Sequence, residues 1–168
     1  MVCEGREFVL DASVVITFSR NGEFGLLEDI LQGRAIISDE VYEECVSPRT
    51  SLDAAIARGM IQRSTISTPG DLAYFASARG QMDVGEASAI ALAHARGATV
   101  LCDDDEARRV GRSLPDAPVV EGTLELLGFA VAHGRLSAEQ AEVHVATFIA
   151  GGAYLPGVPE GYFDSLQP

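Results

Sequence analysis

Short apolar runs bounded by polar turns recur along this chain, and amphipathic stretches fill the spaces between them. Phe8-Val9-Leu10, Ala35-Ile36-Ile37 and Thr99 to Cys102 have the pattern of strands buried on both faces. Met60-Ile61 with Ser64-Thr65-Ile66 reads as an edge-type strand, third in chain order, and Pro118-Val119-Val120 as the fifth. Asp11-Ala12-Ser13 opens a helix through Val14, Val15, Ile16 and Phe18 that breaks at Arg20-Asn21-Gly22. A second runs from Phe24 to Leu31, with Gly33 as its C-cap.

Ser38-Asp39 caps a helix, D-E-V-Y-E-E-C-V, that ends near Ser47-Pro48, and Leu52 to Ala57 is a short helix closed by Gly59. Pro69-Gly70 reads as a turn, and Asp71 as the cap of a helix through Leu72, Tyr74 and Phe75. The longest helix is D-V-G-E-A-S-A-I-A-L-A-H-A-R-G, with Asp83 and Glu86 as a capping box and Gly97 as terminator. Gly122-Thr123 opens a helix through Leu124, Leu127 and Val131 to Gly134, and Ser137 with Gln140 boxes the start of a last one to about Ala150. The tail 151–168 is expected to dock through Tyr154, Leu155, Tyr162 and Phe163. Strand and helix alternate throughout with no linker, so the expectation is one α/β domain over residues 1–168 with a parallel sheet.

The chemistry is carried by acids placed where apolar runs stop. Asp11 follows the first strand directly, and V-L-C-D-D-D-E-A-R-R puts Asp103, Asp104 and Asp105 at the end of the fourth. Glu44 lies on the helix after the second strand, sharing a face with Glu40, and Glu86 lies at the start of the helix before the fourth. In a parallel sheet these positions fall along the edge formed by the strand C-termini, where α/β proteins bind their ligands. Each acid also has a plainer reading. Asp11 and Asp103 can be helix N-caps, Asp103 with Glu106 a capping box, Asp104 with Arg108 an i,i+4 ion pair, and Glu86 a partner of the Asp83 backbone. Four or five carboxylates brought together are the donor set of Mg²⁺ or Mn²⁺, metals that activate water and neutralise a phosphodiester in an in-line attack.

Composition narrows the options. All 12 basic residues are arginine and none is lysine, which excludes P-loop, Schiff-base and pyridoxal chemistry and a receiver domain's phosphoryl-aspartate site. A net charge of −13 opposes nonspecific nucleic-acid binding, although metal at the site offsets part of it. Cys3, Cys45 and Cys102 share no metal or disulfide spacing, and His94, His133 and His144 read as ordinary helix residues. With no leader pattern and no apolar run of membrane length, a cytoplasmic protein without membrane contact is expected.

The motifs V-L-D-A-S (9–13), I-S-D-E-V-Y-E-E-C (37–45), D-V-G-E-A-S-A-I-A-L-A (83–93), L-C-D-D-D-E-A-R (101–108) and V-V-E-G-T-L-E-L-L (119–127) together resemble the PIN domain, in its VapC-like toxin nuclease group. That resemblance implies a three-layer α/β/α sandwich with parallel strand order 3-2-1-4-5. It also implies metal-dependent cleavage of RNA at an acidic quartet, matched here by Asp11, Glu44, Glu86 and Asp104. Glu44 is preferred over Glu40 and Glu43 because the family pattern sets the acid between apolar positions, here Val41 and Cys45. Asp103 belongs to a paired-aspartate variant and is expected beside the metal, and Ser13 matches a small hydroxyl residue near the first aspartate. Arg49, Arg79, Arg108 and Arg109 are the arginines nearest the site in sequence and the expected phosphate contacts. A cognate antitoxin and a homodimer also follow from the resemblance. Its rivals are a non-catalytic PIN-like interaction module and a haloacid-dehalogenase-type phosphatase, for which Asp11-Ala12-Ser13 lacks the second aspartate.

Overall fold

A computed structural model describes residues 5–168. Five strands, β1 (Phe8–Leu10), β2 (Ala35–Ser38), β3 (Ile61–Ser64), β4 (Thr99–Leu101) and β5 (Val119–Glu121), form one all-parallel sheet in the order 3-2-1-4-5. Helices α1 (Ala12–Arg20), α2 (Phe24–Leu31), α3 (Asp39–Glu44), α4 (Arg49–Ala57), α5 (Pro69–Arg79), α6 (Val84–Arg96), α7 (Asp105–Ser113), α8 (Thr123–Ala132) and α9 (Ala138–Ala150) cover it, giving the three-layer sandwich. β1 and β4, at the centre, are buried at every position, as apolar runs without alternation require. Phe8 meets Phe129 of α8 edge-on, and Phe18 of α1 meets Phe148 of α9 with ring centroids 4.9 Å apart, closing the core.

The topology fixes where a site can form. From β1 the chain winds outward through β2 to β3, then returns to the other side of β1 as β4. The switch point therefore falls at the C-terminal ends of β1 and β4, where the crossovers diverge and leave a crevice. Register sets the two ends level. Leu10 pairs with Leu101, and the Asp11 N–H continues the ladder by donating to the Leu101 carbonyl at 2.9 Å.

Several local expectations shift. α5 begins at Pro69, two residues before the expected Asp71 cap. The Thr68 hydroxyl accepts from the Asp71 N–H, so Thr68 is the N-cap and Pro69 takes the first helical position, where its missing N–H costs nothing. β3 covers Ile61–Ser64, without Thr65 and Ile66, and pairs along its whole length with β2. The D-E-V-Y-E-E-C-V helix stops at Glu44 rather than near Ser47, and α4 starts at Arg49 rather than Leu52. In the tail Leu155 and Phe163 are buried and Tyr162 packs against the core, but Tyr154 remains 81% exposed because its neighbour Leu155 occupies the inward position.

No helix among the described residues is long and apolar enough to cross a membrane. Cys45 and Cys102 are buried free thiols, and Cys3 lies outside the described residues. Burial holds the Cys45 thiol neutral, pushing it up to about 12, and moves Cys102 upward as well, so neither is a nucleophile. The histidines sit away from the acidic rim: His94 stacks on Tyr74 at 3.9 Å, His133 packs on Phe129, and His144 faces Glu23 at 3.5 Å.

Candidate active site

Asp11 is 4% exposed at the end of β1 and caps α1. Its Oδ2 accepts from the Ser13 N–H at 3.0 Å and from the Ser13 hydroxyl at 2.6 Å, with the Cys102 thiol 3.6 Å away. The same Ser13 hydroxyl accepts from the Asp103 N–H at 3.0 Å. One serine thus ties the loop after β1 to the loop after β4, across the switch point.

The two adjacent aspartates go separate ways. Asp104 is the N-cap of α7, where its Oδ1 accepts from the Ala107 N–H at 2.8 Å. Asp103 turns toward α8, and both its oxygens are engaged by Thr123: Oδ1 by the N–H at 2.6 Å and Oδ2 by the hydroxyl at 2.7 Å. Asp103, expected beside the metal, braces β4 to the start of α8 through these contacts. Gly122 makes room for this brace, since a Cβ there would lie 2.8 Å from Asp103 Oδ1 and 2.9 Å from Arg108 Nη1.

Glu44 and Glu86 arrive from α3 and α6, which pack together. The Glu44 carboxylate covers the backbone of Gly85 so closely that a Cβ at residue 85 would overlap it, and the Gly85 N–H acts to lower the pKa of that carboxyl. Glu86 returns Oε2 to the Asp83 N–H at 3.3 Å, the capping contact expected from the sequence. With Asp11 it borders a small enclosed packing gap, too tight for a water molecule, walled by Ile90, Val100 and Val120.

Beneath both acids runs a buried hydroxyl relay that the sequence did not announce. Ser38 Oγ accepts from the Val41 N–H and lies 2.7 Å from Ser88 Oγ, which donates to the Gly85 carbonyl at 2.7 Å. Both serines are fully buried, so the cap of α3 is fastened to the first turn of α6. Polar residues within apolar strand and helix patterns were the available signal. Serine caps are common enough that the pairing shows only in three dimensions.

Asp11, Asp104 and Glu86 each place their hydrogen bonds on one carboxylate oxygen, and the other oxygen makes none among the described residues. Capping thus leaves one oxygen of each of these side chains open, whereas both oxygens of Asp103 accept from Thr123. The acids sense one another. Burial, then Asp11 and Asp104, push Glu86 up to about 7. Burial and the Asp11 charge raise Glu44 against the opposing Gly85 N–H. Among the described residues no three acid, histidine or cysteine side chains stand close enough to hold an ion unaided. Nearby on α3, Glu40 Oε2 is buried with no hydrogen-bond partner among the described residues, an orphaned acceptor. Hard oxygen donors, mutual repulsion and an orphaned carboxylate oxygen fit a hard divalent cation.

The raised acids give a pH dependence whose sign is fixed. A carboxyl held near 7 in the fold and near 4.5 when unfolded binds more protons folded in that interval. Its contribution is full below about 4.5 and lost as pH rises through about 7. In EDTA, melting temperature should fall from pH 5 to pH 7.5 by the equivalent of about 1–2 kcal/mol after solvent screening, and Glu86→Gln should flatten the slope. A slope identical in both proteins would contradict this account of Glu86.

Three of the arginines expected to contact phosphate are committed elsewhere. Arg49 donates to the Tyr42, Glu43 and Cys45 carbonyls at the end of α3 and stacks on Tyr42, so it holds the turn that carries Glu44. Arg108 pairs with Glu125 at 2.8 Å rather than with Asp104, and Arg109 pairs with Glu106 one helical turn back. Arg79 is exposed on α5. Arg20, absent from the expected set, lies on the same face of α1 as Ser13 and borders a groove beside Asp104. The i, i+4, i+7 spacing of Ser13, Thr17 and Arg20 was the signal that could have found it.

A family model described as DUF3368: PIN domain matches residues 7–158, nearly the whole chain. Comparison with curated proteins and with solved structures found no match.

Proposed function

Since the chain belongs to the PIN domain family, whose members are generally nucleases, we propose that it is a metal-dependent endoribonuclease of the VapC-like kind. What supports this is that acids from four separate segments lie near enough to act on one another, Asp11 on Glu44 and both Asp11 and Asp104 on Glu86, and that Asp11, Glu86 and Asp104 each keep one carboxylate oxygen free of hydrogen bonds among the described residues. Asp11, Glu44, Glu86 and Asp104 would hold Mg²⁺ or Mn²⁺, with Glu40 next to Glu44 on α3. Bound there, the metal supplies an activated water and offsets the charge of the phosphodiester.

The protein's own part is positioning. Ser13 fixes Asp11 relative to the Asp104 turn, the Ser38–Ser88 relay sets α3 against α6, and Arg49 and Gly85 hold Glu44 in place. Asp103 braces α8, and Arg108 completes that brace through Glu125. The antitoxin, the homodimer and the cytoplasmic setting rest on the family resemblance and the reduced thiols.

The test is cleavage of a panel of labelled RNAs by the purified protein with Mn²⁺, Mg²⁺ or EDTA, beside Asp104→Asn. The asparagine can still accept the Ala107 N–H, so the α7 cap survives. Metal-dependent cutting that disappears in a folded Asp104→Asn variant is expected. A wild type that cuts nothing with either metal, and whose melting temperature ignores both, would leave the acids as caps on a non-catalytic module.

A further inference from the structure

The arrangement of charge around the acidic rim raises a problem for any RNA substrate, because a chain of net charge −13 presents its site from a carboxylate cluster. Most arginines cannot help, being occupied by Glu121, Glu28, Asp39, Glu125, Glu106 or backbone carbonyls. Arg20 differs. It is exposed at the end of α1 and makes no hydrogen bond or ion pair among the described residues.

Arg20 borders a groove of about 440 Å³ that runs from Ser13 and Asp104 along α1 to Tyr154. That volume is of the order of one nucleotide. The far wall is built rather than loose: the N–H groups of Gly151, Gly152 and Ala153 donate to Thr147, Ile149 and Phe148 at 2.9, 3.0 and 2.9 Å. A Cβ at Gly151 would overlap the Asn21 side chain, so the base of the tail is seated on the end of α1, beside Arg20. Leu155 is buried immediately afterwards. Tyr154 therefore stands 81% exposed between two anchored points, an aromatic face with no ring partner among the described residues, on the rim of a groove that leads to the acids.

Stacking on an aromatic face is how single-stranded nucleic acid is held without sequence readout, and a guanidinium is suited to the phosphate beside it. We propose that this groove is a nucleotide subsite: an unpaired base next to the scissile phosphate stacks on Tyr154, and the neighbouring phosphate is held by Arg20. The substrate is then single-stranded RNA, because a base within a duplex has no free face to offer. This rests on the nuclease reading above. An acidic protein segment would use Arg20 but gain nothing from the ring.

The test uses the full chain with Mn²⁺ and a labelled single-stranded RNA, the same sequence in a duplex, and strands with one abasic nucleotide at successive positions. Tyr154→Ala, Tyr154→Phe and Arg20→Gln are compared for KM and kcat. Binding of the intact strand by anisotropy is measured in EDTA. The exposure of both side chains means that melting temperatures should match wild type. Expected results are preference for the strand over the duplex, KM raised about tenfold in Tyr154→Ala with kcat nearly unchanged, and wild-type behaviour in Tyr154→Phe. Arg20→Gln should raise KM and lower the salt dependence by about one phosphate contact. The abasic penalty should vanish in Tyr154→Ala. Cutting by both variants at wild-type KM, equal cutting of duplex and strand, or an abasic penalty independent of Tyr154 overturns the subsite while the nuclease reading stands. If the wild type cuts nothing but binds the strand through Tyr154 and Arg20, the nuclease reading falls and the subsite remains.

Discussion

Asp11→Asn should stop cleavage, by about a thousandfold or more, and yet leave a protein that melts higher than wild type in EDTA. The two effects have one cause. Asp11 is a nearly fully buried carboxylate at the switch point, and its charge is among the causes that raise Glu44 and Glu86. Removing that charge relieves repulsion in the metal-free fold, while asparagine Oδ1 can still accept the Ser13 N–H and hydroxyl. The gain expected is on the order of 1 kcal/mol. The same charge is what a divalent cation needs, so losing it costs about 4 kcal/mol of transition-state stabilisation at a thousandfold. Melting curves with and without Mn²⁺, read beside cleavage rates, check both halves. Wild-type cutting by the variant, or an unchanged response of melting temperature to metal, would remove Asp11 from the site.

Gly85→Ala should be nearly silent in stability and costly in function. Alanine near the start of an exposed helix normally stabilises by roughly 0.5–1 kcal/mol over glycine. Here the added methyl falls where the Glu44 carboxylate sits against the Gly85 backbone. Because Glu44 is at the end of a flexible side chain on the exposed rim of α3, it can swing away at small energetic cost, so the fold tolerates the change. What is lost is the placement of the acid, and displaced metal-site groups typically cost 10- to 100-fold in metal affinity or activity. A double-mutant cycle isolates the contact. In a Glu44→Ala background, Gly85→Ala should change activity no further and should raise stability. Additive losses in the cycle would mean that Gly85 acts through something other than Glu44.

How much of this was legible beforehand differs from residue to residue. The strands were readable because a sheet covered on both faces demands uninterrupted apolar runs, and Phe8-Val9-Leu10 and Thr99-Val100-Leu101 supply them. The capping box of α6 was readable because caps are local, set by residues three apart. The order 3-2-1-4-5 was reached by family resemblance, since nothing within a strand says which neighbour it will pair with.

Partner choice among side chains was not legible. Arg108 stands one turn from Asp104, the spacing of a helical ion pair, but binds Glu125 because α8 brings that half-buried carboxylate beside the buried guanidinium. Nearness in sequence suggested Arg49, Arg108 and Arg109 as substrate contacts, and all three are engaged in holding the fold. Arg20 is nine residues from Asp11, yet it reaches the rim because the helix between them runs along the groove.

By itself, then, the chain determined what depends on neighbours within about four positions: which segments are strands, where helices start, and which acids end apolar runs. The tertiary structure decided what depends on elements meeting. It turned Asp103 toward Thr123 and left Asp104 an oxygen, joined Ser38 to Ser88, set Glu44 on Gly85, and stood Tyr154 beside Arg20. A carboxylate's role rests on which of its oxygens the fold has already occupied, and that is settled only when residues distant in sequence are packed against one another.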